Sequence, residues 1–423
     1  MTATDVAARR PSRFAILWVD GFLWAIRVFA LVFIVWGVLG SIILSGQTGG
    51  LSGDAWRDLT ISGLAQGSMY GLIALGYSMV YGVLGFINFA HGEVFMSGAL
   101  VAYFAADALF EAGVWESSPV FAIAFTLLVS AVTSMIVAIL IERVAYRKLR
   151  NAPRLIPLIT SIGMSFFLQY AIRGLFGSGF QTYPQVPESL RGEAIWGFQK
   201  VQLIVIVVAA VSMAILYTFV ERTKTGRAMR AVAEDKEIAG LMGINVDRII
   251  VTTFAVGGFM AGVAGMLWGL LFRQVYFLTG FLPGIKAFTA AVLGGIGNMA
   301  GAMLGGVSLG LFESLGPQVV LGGLRWGLAL PILAAVVAAG IGVIAVVKRP
   351  MATNTYWRTA FGGAALALAA ILIIPAWRDI ELSISIPALS QLKDVVAFTA
   401  LVLVLVFRPT GLLGERLAVE ERA

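Results

Sequence analysis

The chain has 423 residues, 59% of them hydrophobic and 13% charged, with 30 Lys and Arg against 23 Asp and Glu for a formal charge of +7. A soluble domain of average make-up is about half apolar and about a quarter charged, so this composition and a mean hydropathy of +0.91 point to a polytopic helical membrane protein. Cysteine is absent and histidine occurs once, which excludes disulfides and thiolate metal sites and leaves no catalytic metal or cofactor to expect. The surplus positive charge fits cytoplasmic loops under the positive-inside rule better than nucleic-acid binding.

The opening "MTATDVAARRPSRFAILWVDGFLWAIRVF" has the basic start of a signal peptide. Asp20 and Arg27 interrupt its first apolar stretch, however, and no small-x-small cleavage site follows promptly. An uncleaved membrane helix over 28–46 is expected instead. Further spans are predicted over 59–84, 93–110, 119–141, 155–176, 201–220, 249–272, 328–347, 359–375 and 393–407. Most of the runs are long enough to cross a bilayer, which takes roughly 20 apolar residues. The expected fold is all-α, a transmembrane bundle of about 10 such spans.

The loops orient these spans. "ERVAYRKLRNAPR" (142–154) holds Arg143, Arg147, Lys148, Arg150 and Arg154 against one Glu, the loop 221–248 holds six basic residues, and 348–358 holds three. "EAGVWESS" (111–118) has two Glu and no base. The basic loops and the N-terminal "RRPSR" belong on the cytoplasmic side. Counting crossings from there leaves "FRQVYFLTGFLPG" outside, whereas Lys348 and Arg349 must be inside with one clear span between. The stretch 285–316 should therefore enter and leave by one face. Its Gly-rich centre, "LGGIGNMAGAMLGG" (293–306), predicts a re-entrant pair of half-helices meeting at Gly294, Gly295, Gly297 and Asn298. Non-helical backbone at that depth is tolerable only inside protein or against a water-filled cavity. One ordinary helix with a displaced neighbour is the alternative.

Small residues recur at four-residue spacing: Gly63, Gly67 and Gly71; Gly258 and Gly262; Gly301 and Gly305; Gly306 and Gly310. They read as ridges for close helix packing. The phosphate-binding G-x-x-x-x-G-K-[ST], the nucleophile elbow G-x-S-x-G and the zinc motif H-E-x-x-H are all missing, so no catalytic residues are assigned.

Two stretches carry more than packing. "GFINFAHGEVFM" (85–96) contains the single histidine, and Gly85 and Gly92 each cost a helix interior about 1 kcal/mol relative to Ala. A break is expected there, on the cytoplasmic side or dipping into the membrane from it. Asn88, His91 and Glu93 then line or gate a pathway, because charges at the bilayer centre cost roughly 2.5–3.5 kcal/mol and tend to be functional. Alternatively they form a capped turn, with Asn88 ending one helix and Glu93 in the first turn of the next. The loop 221–248 reads as two short helices on the cytoplasmic face, divided by Gly226, Gly240 and Gly243. Met229, Val232, Ala233 and Leu241 supply its apolar surface, flanked by Arg227, Arg230, Glu234, Asp235, Lys236 and Glu237. That surface serves a cytoplasmic partner or packs back on the bundle.

Four segments then resemble one family, in its order. "GLAQGSMYGLIALGYSMVYGVLGFINFAHGEVFMSGA" (63–99) looks like the start of the branched-chain amino acid permease family, the LivH type of ABC importer subunit. "GRAMRAVAEDKEIAGLMGINVDRII" (226–250) is similar to its cytoplasmic coupling segment, and "GIKAFTAAVLGGIGNMAGAMLGG" (284–306) and "FRPTGLLG" (407–414) match its pattern. The resemblance implies a core over 59–316 and a last core helix and tail over 393–423. Residues 1–58 add an N-terminal membrane helix, and 317–392 insert two more.

It also implies a permease subunit without its own ATPase, in a bacterial inner membrane, with both termini cytoplasmic. The implied partners are a homologous second permease or a second copy, two ATP-binding subunits, a periplasmic solute-binding protein, and membrane lipid. Carried onto this chain, the coupling segment runs from Arg227 to Gly243, through Arg230, Glu234, Asp235 and Glu237. It reads "EDKEIAGLMG" where importers in general have "EAA…G". The implied cargo is a branched-chain or related small amino acid, although related permeases serve urea and short amides. An ion-coupled secondary transporter would also have broken helices, but it needs membrane-embedded ionisable residues, of which the predicted spans are almost free. A membrane scaffold would need neither the broken segments nor the structured loop.

Overall fold

A computed structural model describes residues 38, 41–42, 52–150, 152–153, 155–192, 197–321, 393–408 and 410–414. About four-fifths of them are helical. The apolar runs form α1 (Gly53–Leu84), α2 (His91–Glu111), α3 (Pro119–Ile141), α4 (Leu155–Phe176) and α5 (Lys200–Arg222). Two short helices follow, α6 (Lys224–Glu234) and α7 (Lys236–Leu241). Then come α8 (Val246–Phe272), α9 (Phe281–Gly294), α10 (Met299–Gly316) and α11 (Lys393–Phe407).

Among the described residues, seven stretches are long and apolar enough to cross a membrane. Six fall on predicted spans and the seventh is Met299–Val319. That seventh stretch corrects one expectation. The limb after the Gly-rich break is of spanning length and is not a half-helix, while the limb before it, Phe281–Gly294, is short. The predicted spans 328–347 and 359–375, and nearly all of 28–46, lie outside the described residues, and α11 has 15 residues.

Contacts divide the chain into two compact units, one of Trp56–Ser314 with the segment from Arg408, the other of Leu315–Phe407 with the residues up to Ala55. In the second unit, the Ser41 hydroxyl donates to the Val319 carbonyl, and Val319 and Ala397 are buried.

The first unit is organised by small residues, because helices in lipid gain from close backbone approach and interhelical hydrogen bonds. On α8, Gly258 lies against Ser134 and Ala138, Gly262 against Ser130 and Ala131, and Gly265 against Phe95 and Ala99. Ser130 Oγ donates to the Gly262 carbonyl at 2.6 Å, and Ser134 Oγ to that of Val94 at 2.8 Å. These contacts lock α2, α3 and α8 together. On α1, Gly63, Gly67 and Gly71 meet α10 at Gly310, at Gly306 with Val307, and at Met303. The expected ridges are thus helix contacts. α1 is the central helix, its most apolar window 83% buried, against 28% for α4 and α5. The outer helices accordingly present Phe166, Phe167 and Ile215 outward.

The ends of α8, about 40 Å apart at 1.5 Å per residue, carry different structures. At one end Gln181–Thr182 (β1) pairs antiparallel with Gln274–Val275 (β2). There Tyr183 donates its hydroxyl to the Ala99 carbonyl at 2.5 Å, and Trp115 Nε1 donates to Gln185 at 2.9 Å. Burial raises the Tyr183 pKa, so the phenol stays a donor. At the other end sit α6, α7 and the basic loop after α3, where Arg150 joins buried Glu142 to Asp247.

Candidate transport site

The segment 85–93 folds back into the core. α1 ends at Leu84, and Gly85 turns the chain with φ +76°, a conformation that L side chains resist. By His91 the chain has returned to the level of Gly76, whose missing Cβ leaves room for the imidazole. Asn88 holds this turn. Its Oδ1 accepts the Ala90 N–H at 3.1 Å and the Tyr146 hydroxyl at 2.6 Å, and its carbonyl accepts the His91 N–H at 3.1 Å. Such a bond from a side chain to its own backbone two residues on is the usual Asn turn. Asn88 therefore lies beyond the helix end rather than at it.

Glu93 stands in the first turn of α2, as the capped-turn alternative expects. Its Oε1 accepts Gln169 Nε2 at 2.6 Å and Ser165 Oγ at 3.2 Å, both from α4. The turn accounts for Asn88 but not for its neighbours. His91 and Glu93 are 2% and 1% exposed, yet Glu93 Oε2 has no hydrogen-bond partner among the described residues, and the His91 imidazole has only the Ile73 backbone for a hydrogen bond and no side-chain partner there. Buried polar groups are nearly always satisfied, so each exception calls for a cause. The imidazole packs against the Tyr77 ring at 4.9 Å between centroids. Glu93 Oε2 faces Gly280, at the seam where Gly92 meets Gly280 and Gly284 backbone to backbone.

The second predicted break lies where the glycines placed it. α9 stops at Gly294, Gly295 and Gly297 take φ +106° and +93°, and α10 begins at Met299. Gly294 and Gly301 face each other across the bend. A helix leaves its last carbonyls without intrahelical partners. Here the C-terminal segment supplies them, the Leu412 N–H donating to the Leu293 carbonyl at 2.8 Å and that of Leu413 to Gly294 at 3.0 Å. Asn298 Oδ1 accepts the Gly301 N–H at 2.9 Å, and its Nδ2 donates to the Leu413 carbonyl at 3.0 Å. Asn298 thus caps α10 and tethers the tail. A cleft of about 560 Å³ opens beside this bend, lined by Gly297, Asn298, Met79, Glu221, Met229 and Arg230.

A third feature escaped the sequence reading, which took the spans as nearly free of ionisable groups. Lys286 Nζ of α9 donates to Glu313 Oε1 of α10 at 2.9 Å, with side chains 6% and 2% exposed. The Tyr70 hydroxyl of α1 donates to Glu313 Oε2 at 3.0 Å, and Lys286 lies 5.8 Å from the Tyr70 ring centre. The available signal was two opposite charges inside an otherwise apolar stretch.

The loop 221–248 forms the two expected short helices. The Thr223 hydroxyl accepts the Gly226 N–H at 3.0 Å to start α6, and Asp235 Oδ1 accepts from Glu237 and Ile238 at 2.8 and 2.9 Å to start α7. Gly243, at φ +83°, lets the Ile244 N–H close α7 on the Ala239 carbonyl at 3.1 Å. Lys236 Nζ reaches the Leu84 carbonyl at 3.4 Å and so touches the end of α1. Arg230 pairs with Glu221.

Arg227, Arg230, Glu234, Asp235, Glu237 and Gly243 all face outward. The apolar surface divides in a way the sequence did not reveal. Met229 and Val232 are buried and bind α6 to its own bundle, whereas Ile238, Leu241 and Met242 of the α7 segment are 59%, 87% and 79% exposed.

Comparison with known proteins gives the site its context. The sequence model of a family described as branched-chain amino acid transport system / permease component matches residues 59–406. The high-affinity branched-chain amino acid transport system permease protein BraD of Pseudomonas aeruginosa is 38% identical over 362 residues, covering 84% of this chain and 94% of that protein. The LivH permease proteins of the same type of system in Salmonella typhimurium and Escherichia coli are each 43% identical over 266 residues, covering 60% of this chain and 83% of theirs. No solved structure matches.

Proposed function

The chain belongs to the permease component family of branched-chain amino acid transport systems, and from that premise we propose that it is the membrane-spanning subunit of an ATP-driven importer for branched-chain amino acids. It resides in a bacterial inner membrane with its N- and C-termini, α6 and α7 on the cytoplasmic side. Two ATP-binding subunits dock on α6 and α7, a homologous permease or a second copy completes the membrane pair, and a periplasmic binding protein delivers the solute.

The observation that supports docking is the exposed trio Ile238, Leu241 and Met242, held out by a helix capped at both ends. Soluble surfaces rarely gather large apolar side chains, and where they do a partner commonly covers them. One contact carries movement inward from there, Lys236 joining the end of α1, from which the segment 85–93 departs. Arg230 lines the cleft beside the α9–α10 bend. ATP binding acts by favouring one facing of the bundle over the other, and it shifts that balance only as far as its partners grip the two states differently. The buried His91 imidazole and the unpartnered Glu93 Oε2 serve as pathway groups, with Asn88 as the turn that positions them.

The substrate assignment is tested by competition. Proteoliposomes holding the chain and the subunits encoded beside it take up labelled leucine with ATP inside, and isoleucine and valine compete while urea and short amides do not. Competition by urea or acetamide in place of the amino acids would keep the architecture and overturn the substrate.

A further inference from the structure

We propose that Lys286 and Glu313 are the receptors for the two charged ends of the transported amino acid, the ammonium of Lys286 taking the α-carboxylate and the carboxylate of Glu313 the α-ammonium. The proposal rests on the amino-acid importer reading above. Burying an ion pair has a desolvation cost that its mutual attraction does not reliably recover, so such a pair is weak evidence of stability. An ionisable group at membrane depth points to function first. Glu313 lies within Met299–Val319, a stretch long and apolar enough to cross a membrane, and Lys286 on the shorter apolar helix Phe281–Gly294.

A branched-chain amino acid is a zwitterion with an apolar tail, and a dry passage must offer it one cation and one anion. Lys286 and Glu313 supply one of each, 2.9 Å apart, and without cargo they neutralise each other. The Tyr70 hydroxyl, 3.0 Å from Glu313 Oε2, fixes the carboxylate against the third helix.

The pair is also placed to open. Its members stand on the two limbs of one broken helix, and the break between them has glycines at φ +106° and +93°. Movement at Gly295–Gly297 changes the Lys286–Glu313 separation, and the same bend borders the cleft that Arg230 and Met229 of α6 line. A movement of α6 that closes or widens this cleft therefore acts beside the hinge of the pair.

The test removes both charges together, as Lys286→Met with Glu313→Gln, in the complete complex in proteoliposomes. The variant should co-purify with the ATP-binding subunits and melt near the parent temperature, since the ammonium and the carboxylate are removed together and neither is left facing the other's neutral replacement. Its ATP-dependent leucine uptake should fall more than tenfold. Uptake within twofold of the parent would overturn the proposal and leave the pair a packing element.

Should the double variant fail to assemble, the unmodified complex carries the test. A diazirine-bearing leucine analogue photolysed during turnover should label peptides 66–74, 283–290 and 309–316. Labelling confined elsewhere, for example to 88–97, would overturn the proposal. Failure of the underlying reading looks different, because the parent complex itself would then take up no leucine with ATP.

Discussion

Replacing Leu241 and Met242 by Ser should separate docking from folding. Both side chains are at least 79% exposed, so the permease loses almost no buried surface and should melt within a degree or two of the parent. Fully burying a Leu or Met side chain is worth about 1.5–3 kcal/mol. Half of that for each, at a surface that covers them partly, gives about 1.5–3 kcal/mol together, or roughly 10- to 150-fold in affinity. The assay is binding of purified ATP-binding subunits to the detergent-solubilised permease, by interferometry or microscale thermophoresis. Met229→Ser serves as the contrast, since Met229 is 3% exposed. It should lower the melting temperature, and it should weaken docking only as far as α6 is disturbed. Affinity unchanged within threefold for Leu241→Ser with Met242→Ser would refute the assignment of this patch.

Three more outcomes follow from local geometry. Gly67→Ala places a Cβ against the backbone of Gly306 and Val307, and overpacking of that kind costs about 1–3 kcal/mol. Thermal unfolding in detergent should show the loss, whereas Gly163→Ala, with open space around it, should show none. Asp235→Ala removes the cap of α7, worth about 0.5–2 kcal/mol. Hydrogen exchange at the Glu237 and Ile238 amides should accelerate accordingly, and Asp235→Asn should restore protection. Glu93→Gln keeps an acceptor for Gln169 Nε2 and deletes the charge. Uptake should fall at least tenfold with expression intact, and normal uptake would return Glu93 to a purely structural role.

Periodicity and composition were enough to place six spans, because a bilayer demands an apolar run of fixed length and this chain supplies it repeatedly. The glycine ridges were legible for the same reason. A row such as Gly63, Gly67 and Gly71 serves few purposes in lipid besides close packing, and it packs on α10. The break at Gly295–Gly297 was also readable, but the length of the limb after it was not. The parity argument needed a short limb, and nothing between Met299 and Val319 marks how far the helix continues.

The candidate site was half legible. Asn88, His91 and Glu93 stood out by polarity alone, but their different tasks depend on Tyr146, Ser165 and Gln169, which are distant in sequence. Lys286 and Glu313 went unnoticed for the same physical reason, since a charge in an apolar run is informative only once its partner on another helix is known. On the loop 221–248, composition offered Met229, Val232, Ala233 and Leu241 as one surface. The three-dimensional arrangement buries the first two and leaves Leu241 exposed.

The central claim is that ATP drives this permease, and one comparison tests it most directly. Leucine uptake is measured in proteoliposomes containing the chain, its ATP-binding subunits and its solute-binding protein, first with internal ATP and no ion gradient, then with a proton or sodium gradient and no ATP. The account predicts accumulation in the first condition only, abolished when the ATP-binding subunits are omitted. Accumulation that follows the gradient and ignores ATP would contradict it, and would reassign the buried Lys286–Glu313 pair to ion coupling.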